Sequence, residues 1–246
     1  MDRLDAAGLA IPGLEVRVVQ RCSSTNDLAL DAGVPVLVAA EAQSAGRGRR
    51  GRRWHSPRGA GATFSLGRRI RRPVRELPAL SLVAGVAAAR ALNGLGVPAR
   101  LKWPNDLVVD AAKLGGILVE TRDGNYAVIG IGINCRRTPG LAARVRHRVA
   151  FVEQFVPVSR NKLIRDIARA LLEALEAFEK HGLDAVREQW ESMHAHAGHK
   201  LKVRLADGRV LSGTARGLAQ DGSLRLLTRN GIQAVRSGRV VSARAA

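Results

Sequence analysis

The C-terminal part of the chain, from Lys200 onward, consists of short segments of alternating hydrophobicity that are separated by turn residues. Three dipeptides mark the turns: Asp207-Gly208, Asp221-Gly222 and Asn230-Gly231. Each favours the positive-φ conformation that closes a β-hairpin. This pattern is incompatible with a long helix and predicts a small meandering β-barrel or sheet. We therefore place a domain boundary near Gly198, with one domain at residues 1–197 and a second at 198–246.

The part before this boundary mixes helical and strand-like patterns. The clearest helix runs from Ser159 to His181, with apolar residues on one face and Gly182 after its end. Shorter helices are predicted at residues 77–94, at residues 183–195 and, after the candidate N-caps Ser23, Ser24 and Thr25, through about Ala32. Strand-like runs occupy residues 16–20, 34–40, 62–66, 101–109, 116–120 and 127–134. Such a mixture predicts an α/β (α+β) domain.

The charge balance restricts the partners of the protein. Lys and Arg total 40 against 21 Asp and Glu, a net charge of +19, so the surface attracts nucleotides, nucleic acid or an acidic protein. Only 3% of the residues are aromatic, which leaves few platforms for stacking bases. Two isolated cysteines and the absence of a signal peptide indicate a cytoplasmic protein. The longest apolar stretch, residues 77–89, is too short to span a bilayer, so no membrane partner is expected.

A glycine- and arginine-rich segment, residues 46–54, is the first candidate site. It contains the spacing G-x-G-x-x-G, but Arg, Trp, His, Ser and Pro follow instead of the helix that a dinucleotide fold needs. Five arginines in eight residues suit an anionic ligand, because guanidinium groups pair with phosphate and carboxylate oxygens. Trp54 offers a flat face to a purine. We predict a mobile loop at residues 43–61 that closes over such a ligand. The alternative is a solvated basic loop that contacts RNA.

Three further segments contain candidate site residues. In Lys102-Trp103-Pro104-Asn105-Asp106, a bend places a lysine and a carboxylate together, as a phosphate and Mg²⁺ site requires, although the bend alone explains Pro, Asn and Asp. Gly115 and Gly116 enter an apolar strand after Lys113, which indicates either a close backbone approach to a ligand or a β-bulge. Gly130 and Gly132 leave one strand face bare, for a flat ring or for a bend. His194, His196 and His199 lack the spacing of a metal site.

Together and in this order, these segments resemble those of the biotin–protein ligases. The matching stretches, which span nearly the whole chain, are residues 23–26, Gln43 with 46–54, 102–106, 113–120 and 130–134. The resemblance implies a mixed-sheet catalytic domain of the biotin/lipoate ligase type, followed by a small SH3-like β-barrel. It also implies an enzyme with three ligands: the substrates biotin and ATP, and Mg²⁺.

The resemblance further assigns roles to single residues. Lys113, Arg49 and Asp106 become the catalytic residues, and Asp106 also becomes the metal ligand. The biotin side comprises Ser24, Thr25, Gln43, Gly46, Arg47, Gly48, Gly115 and Gly116. The nucleotide side comprises Arg49, Arg52, Trp54, Lys102, Asn105, Asp106 and Asn134. Lys113 is placed between the biotin carboxylate and the α-phosphate.

The implied reaction is an ATP-dependent ligation. Biotin is activated as biotinyl-5'-AMP and is then transferred to a lysine of a biotin carboxyl carrier domain, the acceptor in a biotin-dependent carboxylase. There are two alternatives: a lipoate–protein ligase of the same superfamily, and a basic nucleic-acid-binding protein that is not an enzyme. About 15 residues precede the first strand, too few for a helix-turn-helix domain, so specific DNA binding is not expected. Both a monomer and a homodimer fit the sequence.

Overall fold

The computed structural model describes residues 2–138, 145, 148–157 and 159–245. Seven strands form one sheet with the order β1-β2-β3-β7-β6-β5-β4. Their bounds are β1 Glu15–Val19, β2 Val36–Ala40, β3 Gly61–Arg69, β4 Arg100–Lys102, β5 Asp106–Val109, β6 Ala112–Arg122 and β7 Tyr126–Asn134. Strands β1 and β2 are parallel and the other neighbours are antiparallel, so the sheet is mixed.

Helices cover both faces of this sheet. Helix α1, Thr25–Ala32, begins at Ser24, whose side chain accepts a hydrogen bond from the backbone of Asn26. Its apolar residues pack with Val36 and Val38, whereas Leu37 and Ala39 belong to the larger core on the other face. That core contains residues of three helices: α2 Leu80–Gly94, α3 Arg160–His181 and α4 Asp184–Met193. The mixed α/β fold predicted from the sequence is confirmed.

Several strand and helix ends differ by a few residues from the sequence prediction, and two elements differ in kind. The helix predicted at 77–94 begins as a 3-10 helix at Val74–Ala79 and becomes α-helical only after Pro78, because proline cannot donate to the preceding turn. The single strand predicted at 101–109 is a hairpin, β4 and β5, with a turn at residues 103–105. Val74–Gly94 has the length and hydropathy of a membrane span, but 67% of its most apolar window is buried inside the protein, as in a core helix.

The C-terminal strands form a second, antiparallel sheet with the order β11-β10-β9-β8-β12. Their bounds are β8 Lys200–Leu205, β9 Val210–Leu218, β10 Leu224–Thr228, β11 Gly231–Val235 and β12 Gly238–Arg244. Gly208, Gly222 and Gly231 adopt φ values of 87°, 83° and 89°, as the predicted hairpin turns require. The small C-terminal β unit, expected to be SH3-like, is therefore confirmed. The boundary at residue 198 stays a prediction.

Candidate active site

The glycine–arginine segment folds into a tight hairpin against the sheet. Arg47 and Arg53 form a bridge, the backbone NH of Gly48 donates to the carbonyl of Arg52 over 2.6 Å, and that of Trp54 donates to Gly46 over 2.9 Å. At its tip, residues 49–51 form one 3-10 turn in which Arg50 has a φ of 57°. No long helix follows the glycines, in agreement with the rejected dinucleotide fingerprint. Mobility of this segment in solution stays a prediction.

The bare face of β7 is covered by side chains of two other segments. A Cβ atom at position 130 would overlap the amide of Asn26, and one at position 132 would overlap the indole of Trp54. The glycines therefore let a flat ring and an amide lie directly on the strand. Trp54 belongs to the hairpin of residues 46–54, which we call the arginine hairpin, so this hairpin packs on β7.

Lys113 lies at an irregularity between β5 and β6. The strand register shifts because Leu107 pairs with Gly115 while Val108 pairs with Lys113, so the bulge foreseen from the paired glycines is present. The Nζ atom of Lys113 lies 2.5 Å from Oδ1 of Asp106 and 5.9 Å from the centre of the Trp54 ring. The bulge thus directs the ammonium group toward the carboxylate and the hairpin.

The turn between β4 and β5 places the second candidate segment at the same point. Lys102 and Asp106 are directly opposite each other in the hairpin. Asn105 is held by a hydrogen bond from its Nδ2 to the carbonyl of Ile117 over 2.7 Å, and Asn134 donates to the carbonyl of Lys113 over 3.2 Å. The lysine and the carboxylate therefore meet across the bend, as the sequence predicted.

A hydrogen-bond network forms the other end of the site. Oε1 of Gln43 accepts from the backbone NH of Thr25 over 2.7 Å and from its hydroxyl over 3.1 Å. Ser65 lies 2.7 Å from the Thr25 hydroxyl and 2.6 Å from Oδ1 of Asn26. Ser24 and Thr25 are buried, so these polar groups are preorganised away from bulk water.

Arg47 is turned away from the centre of the site. Its guanidinium binds both carboxylate oxygens of Asp27, at 3.0 and 2.5 Å, and lies 3.3 Å from Glu120. These hydrogen bonds raise the pKa of Arg47 and lower that of Asp27. Arg47 therefore fastens the hairpin to α1 and β6, a contact that the sequence did not indicate.

A cavity of about 360 Å³ joins these groups. It is lined by every predicted site residue except Gly46 and Gly115. Those two are packed against neighbouring backbone, because a Cβ would lie 2.6 Å from the carbonyl oxygen of Trp54 at position 46 and 2.7 Å from that of Gly132 at position 115. The volume falls within the range of small-molecule sites.

Comparison with known proteins gives the family. Residues 18–134 match the model of the biotin/lipoate A/B protein ligase family, and residues 201–241 match that of the biotin protein ligase C-terminal domain. The bifunctional ligase/repressor BirA of Escherichia coli is 36% identical over 96% of this chain and 76% of its own length. The biotin–[acetyl-CoA-carboxylase] ligase of Mycobacterium tuberculosis is 30% identical over 99% and 94%. This chain belongs to the biotin–protein ligase family. It is thus a ligase enzyme.

Solved structures agree with this assignment. Biotin protein ligase from Aquifex aeolicus in complex with biotin and ATP is 27% identical and superposes with a TM-score of 0.81 over 94% of this ligase and 99% of that chain. The Helicobacter pylori biotin acetyl coenzyme A carboxylase synthetase with bound biotinylated ATP is 26% identical, with a TM-score of 0.64 over 90% and 99%. The similarity extends over both sheets of the ligase.

The electrostatics of the ligase cavity favour an anion. Burial lowers the pKa of Arg49, and it also lowers the pKa of Lys102 although Asp106 opposes that shift. Arg52 and Lys113 add positive charge around the same carboxylate. A desolvated cation cluster around one carboxylate is stabilised when a negatively charged ligand enters.

Several lining residues were not foreseen from the sequence. Asn26 belongs to the matching stretch 23–26 but was assigned no role, although its position directly after Ser24 and Thr25 was an available signal. Gly238, Arg239, Val240 and Val241 line the cavity from the C-terminal sheet. They lie far from the other segments in sequence, so no local pattern marks them. The described part of the chain contains no cluster of three or more His, Cys, Asp or Glu residues suited to a metal ion.

Proposed function

We propose that the ligase first joins biotin and ATP into biotinyl-5'-AMP and then transfers biotin to a lysine of a biotin carboxyl carrier domain. The observation that carries this proposal is the cavity in which Lys113, Asp106 and Arg49 meet the Thr25–Gln43 network. Biotin and ATP are bound by the Aquifex aeolicus relative, and an acetyl-CoA-carboxylase acceptor is named for the Mycobacterium tuberculosis relative. Two free cysteines, Cys22 and Cys135, agree with a reaction in the reducing cytoplasm.

The two ends of the cavity suit the two substrates. Ser24, Thr25 and Gln43 present hydroxyl and amide groups for the polar ring system of biotin. Arg49, Arg52, Lys102 and Lys113 neutralise phosphates, while Trp54 offers its ring to the adenine and Asn134 hydrogen-bonds at the nucleotide side. Gly116 leaves room beside Lys113, because a Cβ there would lie 3.2 Å from its Nζ atom.

In the first step, a carboxylate oxygen of biotin attacks the α-phosphorus of ATP. The bond from that phosphorus to the bridging oxygen breaks, and pyrophosphate leaves with the bonding electrons. Lys113 lies where the negative charge on the α-phosphate increases, and its ammonium group stabilises that charge more strongly in the transition state. Asp106 keeps Lys113 in place through their 2.5 Å contact.

A magnesium ion fits beside the nucleotide phosphates. Asp106 presents its second carboxylate oxygen, and Mg²⁺ commonly uses one protein carboxylate together with phosphate oxygens and water. Asp106 would hold the ion with Asn105 next to it. The bound ion would neutralise charge on the phosphates.

In the second step, the neutral amine of the acceptor lysine attacks the carbonyl carbon of biotinyl-5'-AMP. The carbon–oxygen bond of the mixed anhydride breaks, an amide forms, and AMP leaves while the amine loses its proton. Asp106 orients the amine or accepts that proton. The arginine hairpin covers β7 and keeps water from the anhydride.

The test is biotin-dependent exchange of labelled pyrophosphate into ATP, followed by mass spectrometry of a carrier domain. We expect exchange with biotin and a single biotinylated lysine after addition of the carrier. Lipoate in place of biotin is expected to give little of either. Exchange with lipoate alone would identify the other activity of the superfamily, and binding of nucleic acid without any exchange would contradict an enzyme.

A further inference from the structure

The outer face of the C-terminal sheet contains an unusual excess of positive charge. Residues 198–246 contain ten lysines and arginines and only two acidic residues, Asp207 and Asp221. Both acidic residues already pair with arginines, Asp207 with Arg209 and Asp221 with Arg236. The remaining cations are therefore not neutralised within this sheet.

Six of these cations share one face. On β8, exposed and buried residues alternate, so Lys200, Lys202 and Arg204 point outward together. The register places Arg239 opposite Arg204 and Arg244 opposite Lys200 on β12. On β9, exposed Arg216 follows the same outward alternation. We call these six residues, Lys200, Lys202, Arg204, Arg216, Arg239 and Arg244, the cationic face.

This arrangement lowers the stability of the C-terminal sheet when no ligand is bound. Like charges directly opposite each other in an antiparallel pair destabilise a sheet, and β8 and β12 contain two such pairs, Arg204 with Arg239 and Lys200 with Arg244. Among the residues that the structure describes, none forms an ion pair or a side-chain hydrogen bond with any member of the cationic face. Only Arg239 also lines the active-site cavity, so the substrates of the ligase reaction leave the other five without a partner.

The surroundings of these cations indicate the chemistry of the partner. Ser212 and Thr214 of β9 lie directly opposite Lys202 and Lys200. Their hydroxyl groups can donate hydrogen bonds to phosphate oxygens, as serine and threonine commonly do in complexes with nucleic acid. Alternate residues of a strand are about 6.8 Å apart, similar to the separation of successive phosphates along a nucleic-acid backbone. Residues 198–246 contain no Phe, Trp or Tyr, which are the usual anchors of a protein–protein interface and of base stacking.

We propose that the cationic face binds the phosphate backbone of nucleic acid without reading its sequence. Cations and hydroxyls in a regular array, with no aromatic anchor, fit phosphates better than they fit an acidic protein. This binding is separate from the ligase reaction, although Arg239 brings the nucleic acid close to the mouth of the active site.

The test uses a labelled DNA duplex of mixed sequence and measures affinity as a function of salt concentration. Six phosphate contacts give a slope of about −5 in a plot of log affinity against log salt, with micromolar binding near physiological salt. The variant K200Q/K202Q/R204Q is expected to halve the slope and to weaken binding on the order of a hundredfold at low salt. The matched control R69Q/R71Q/R90Q removes the same charge from three exposed arginines of the N-terminal part: Arg69 at the end of β3, Arg71 just after it, and Arg90 in α2.

Folding and alternatives are tested in the same variants. The K200Q/K202Q/R204Q protein should melt at an equal or higher temperature, because it loses cross-strand repulsion, and should keep its pyrophosphate exchange. Equal DNA affinities and slopes for the two triple variants would overturn the proposal. Two other outcomes would also overturn it, because both assign the face to an acidic protein. One is that polyglutamate competes as well as DNA at equal charge. The other is that the only defect of K200Q/K202Q/R204Q is in the KM for a carrier domain.

Discussion

Lys113 is either a surface lysine or a catalytic lysine, and its removal has different effects on the rate of reaction in the two cases. Its ammonium group is fixed by Asp106 at 2.5 Å and lies near the Trp54 ring, inside the cavity. A group held in this way contributes to a transition state without having to reorganise. Its removal should therefore affect the chemistry more than the fold.

We predict that Lys113→Ala slows adenylation by about 10²–10³, the usual scale for one electrostatic stabiliser. Lys113→Arg should not restore full activity, because a planar guanidinium does not replace a compact ammonium at this distance. Single-turnover formation of biotinyl-5'-AMP measures the effect, and transfer from synthetic biotinyl-5'-AMP should be impaired less. Near-normal adenylation by folded Lys113→Ala would remove this residue from the mechanism.

A second residue-scale feature is a buried ion pair whose members do not line the cavity. Arg160, 1% exposed, donates to both carboxylate oxygens of Glu41, at 2.8 and 3.1 Å, and also binds Asp2. Burial alone opposes ionisation of Glu41, but the hydrogen bonds and the charge of Arg160 outweigh it and lower its pKa. The pair attaches the N-terminal segment to α3 and the end of β2.

We predict that Glu41→Gln lowers the free energy of unfolding by roughly 3–5 kcal/mol at neutral pH, because it leaves a buried cation without its main partner. The folded pKa of Glu41 is depressed, so its contribution is complete above the ordinary value of 4.5 and is lost as the pH falls through the folded pKa. Urea unfolding at several pH values measures this. A difference between wild type and variant that does not become smaller as the pH falls would contradict it.

At the scale of elements, the sequence predicted those strands and helices that have a clear local pattern of apolar, polar and turn residues. β7 was recognisable by its alternating glycines, and its bare face receives Trp54 and Asn26. The β4–β5 hairpin was read as one strand because apolar residues stand at both of its ends, Leu101 and Leu107, although residues 102–106 between them were also read as a bend. The contribution of Arg239 to the cavity depends on how two sheets pack together, which no local pattern reports.

The arginine hairpin gives the element-scale prediction. Asp27 of α1 holds Arg47, so Asp27→Asn should weaken closure of the hairpin by about 1 kcal/mol, or about fivefold in its cleavage rate by protease. Limited proteolysis between Gly46 and Trp54 measures this rate, and biotin with ATP should protect both proteins. Asp31→Asn, on the same helix but 76% exposed, is the control. Equal cleavage of all three proteins would show that the ion pair does not hold the hairpin.

At the scale of the molecule, the two sheets share one apolar core. Leu201, Val203 and Leu224 of the C-terminal sheet belong to the same buried cluster as Leu82 and Trp190 of the N-terminal part. Polar contacts reinforce this junction, because the indole NH of Trp103 donates to the carbonyl of Gly222 over 3.3 Å. The C-terminal sheet is therefore positioned firmly enough to supply one wall of the active site.

Arg187 tests whether this junction makes the ligase one cooperative unit. Its guanidinium donates to the carbonyls of Leu218 and Ala219, over 3.2 and 2.8 Å, at the turn by which the C-terminal sheet meets α4. We predict that wild type melts in one transition, and that Arg187→Ala lowers its midpoint by about 3–8 °C, since unpaired carbonyls cost roughly 1–3 kcal/mol.

Arg209→Ala, whose ion pair with Asp207 lies within one exposed hairpin, should leave the midpoint unchanged. Calorimetry alongside near-ultraviolet circular dichroism of the tryptophans measures both. Because a shared core melts as a whole, two resolved transitions in the wild-type protein would contradict this coupling.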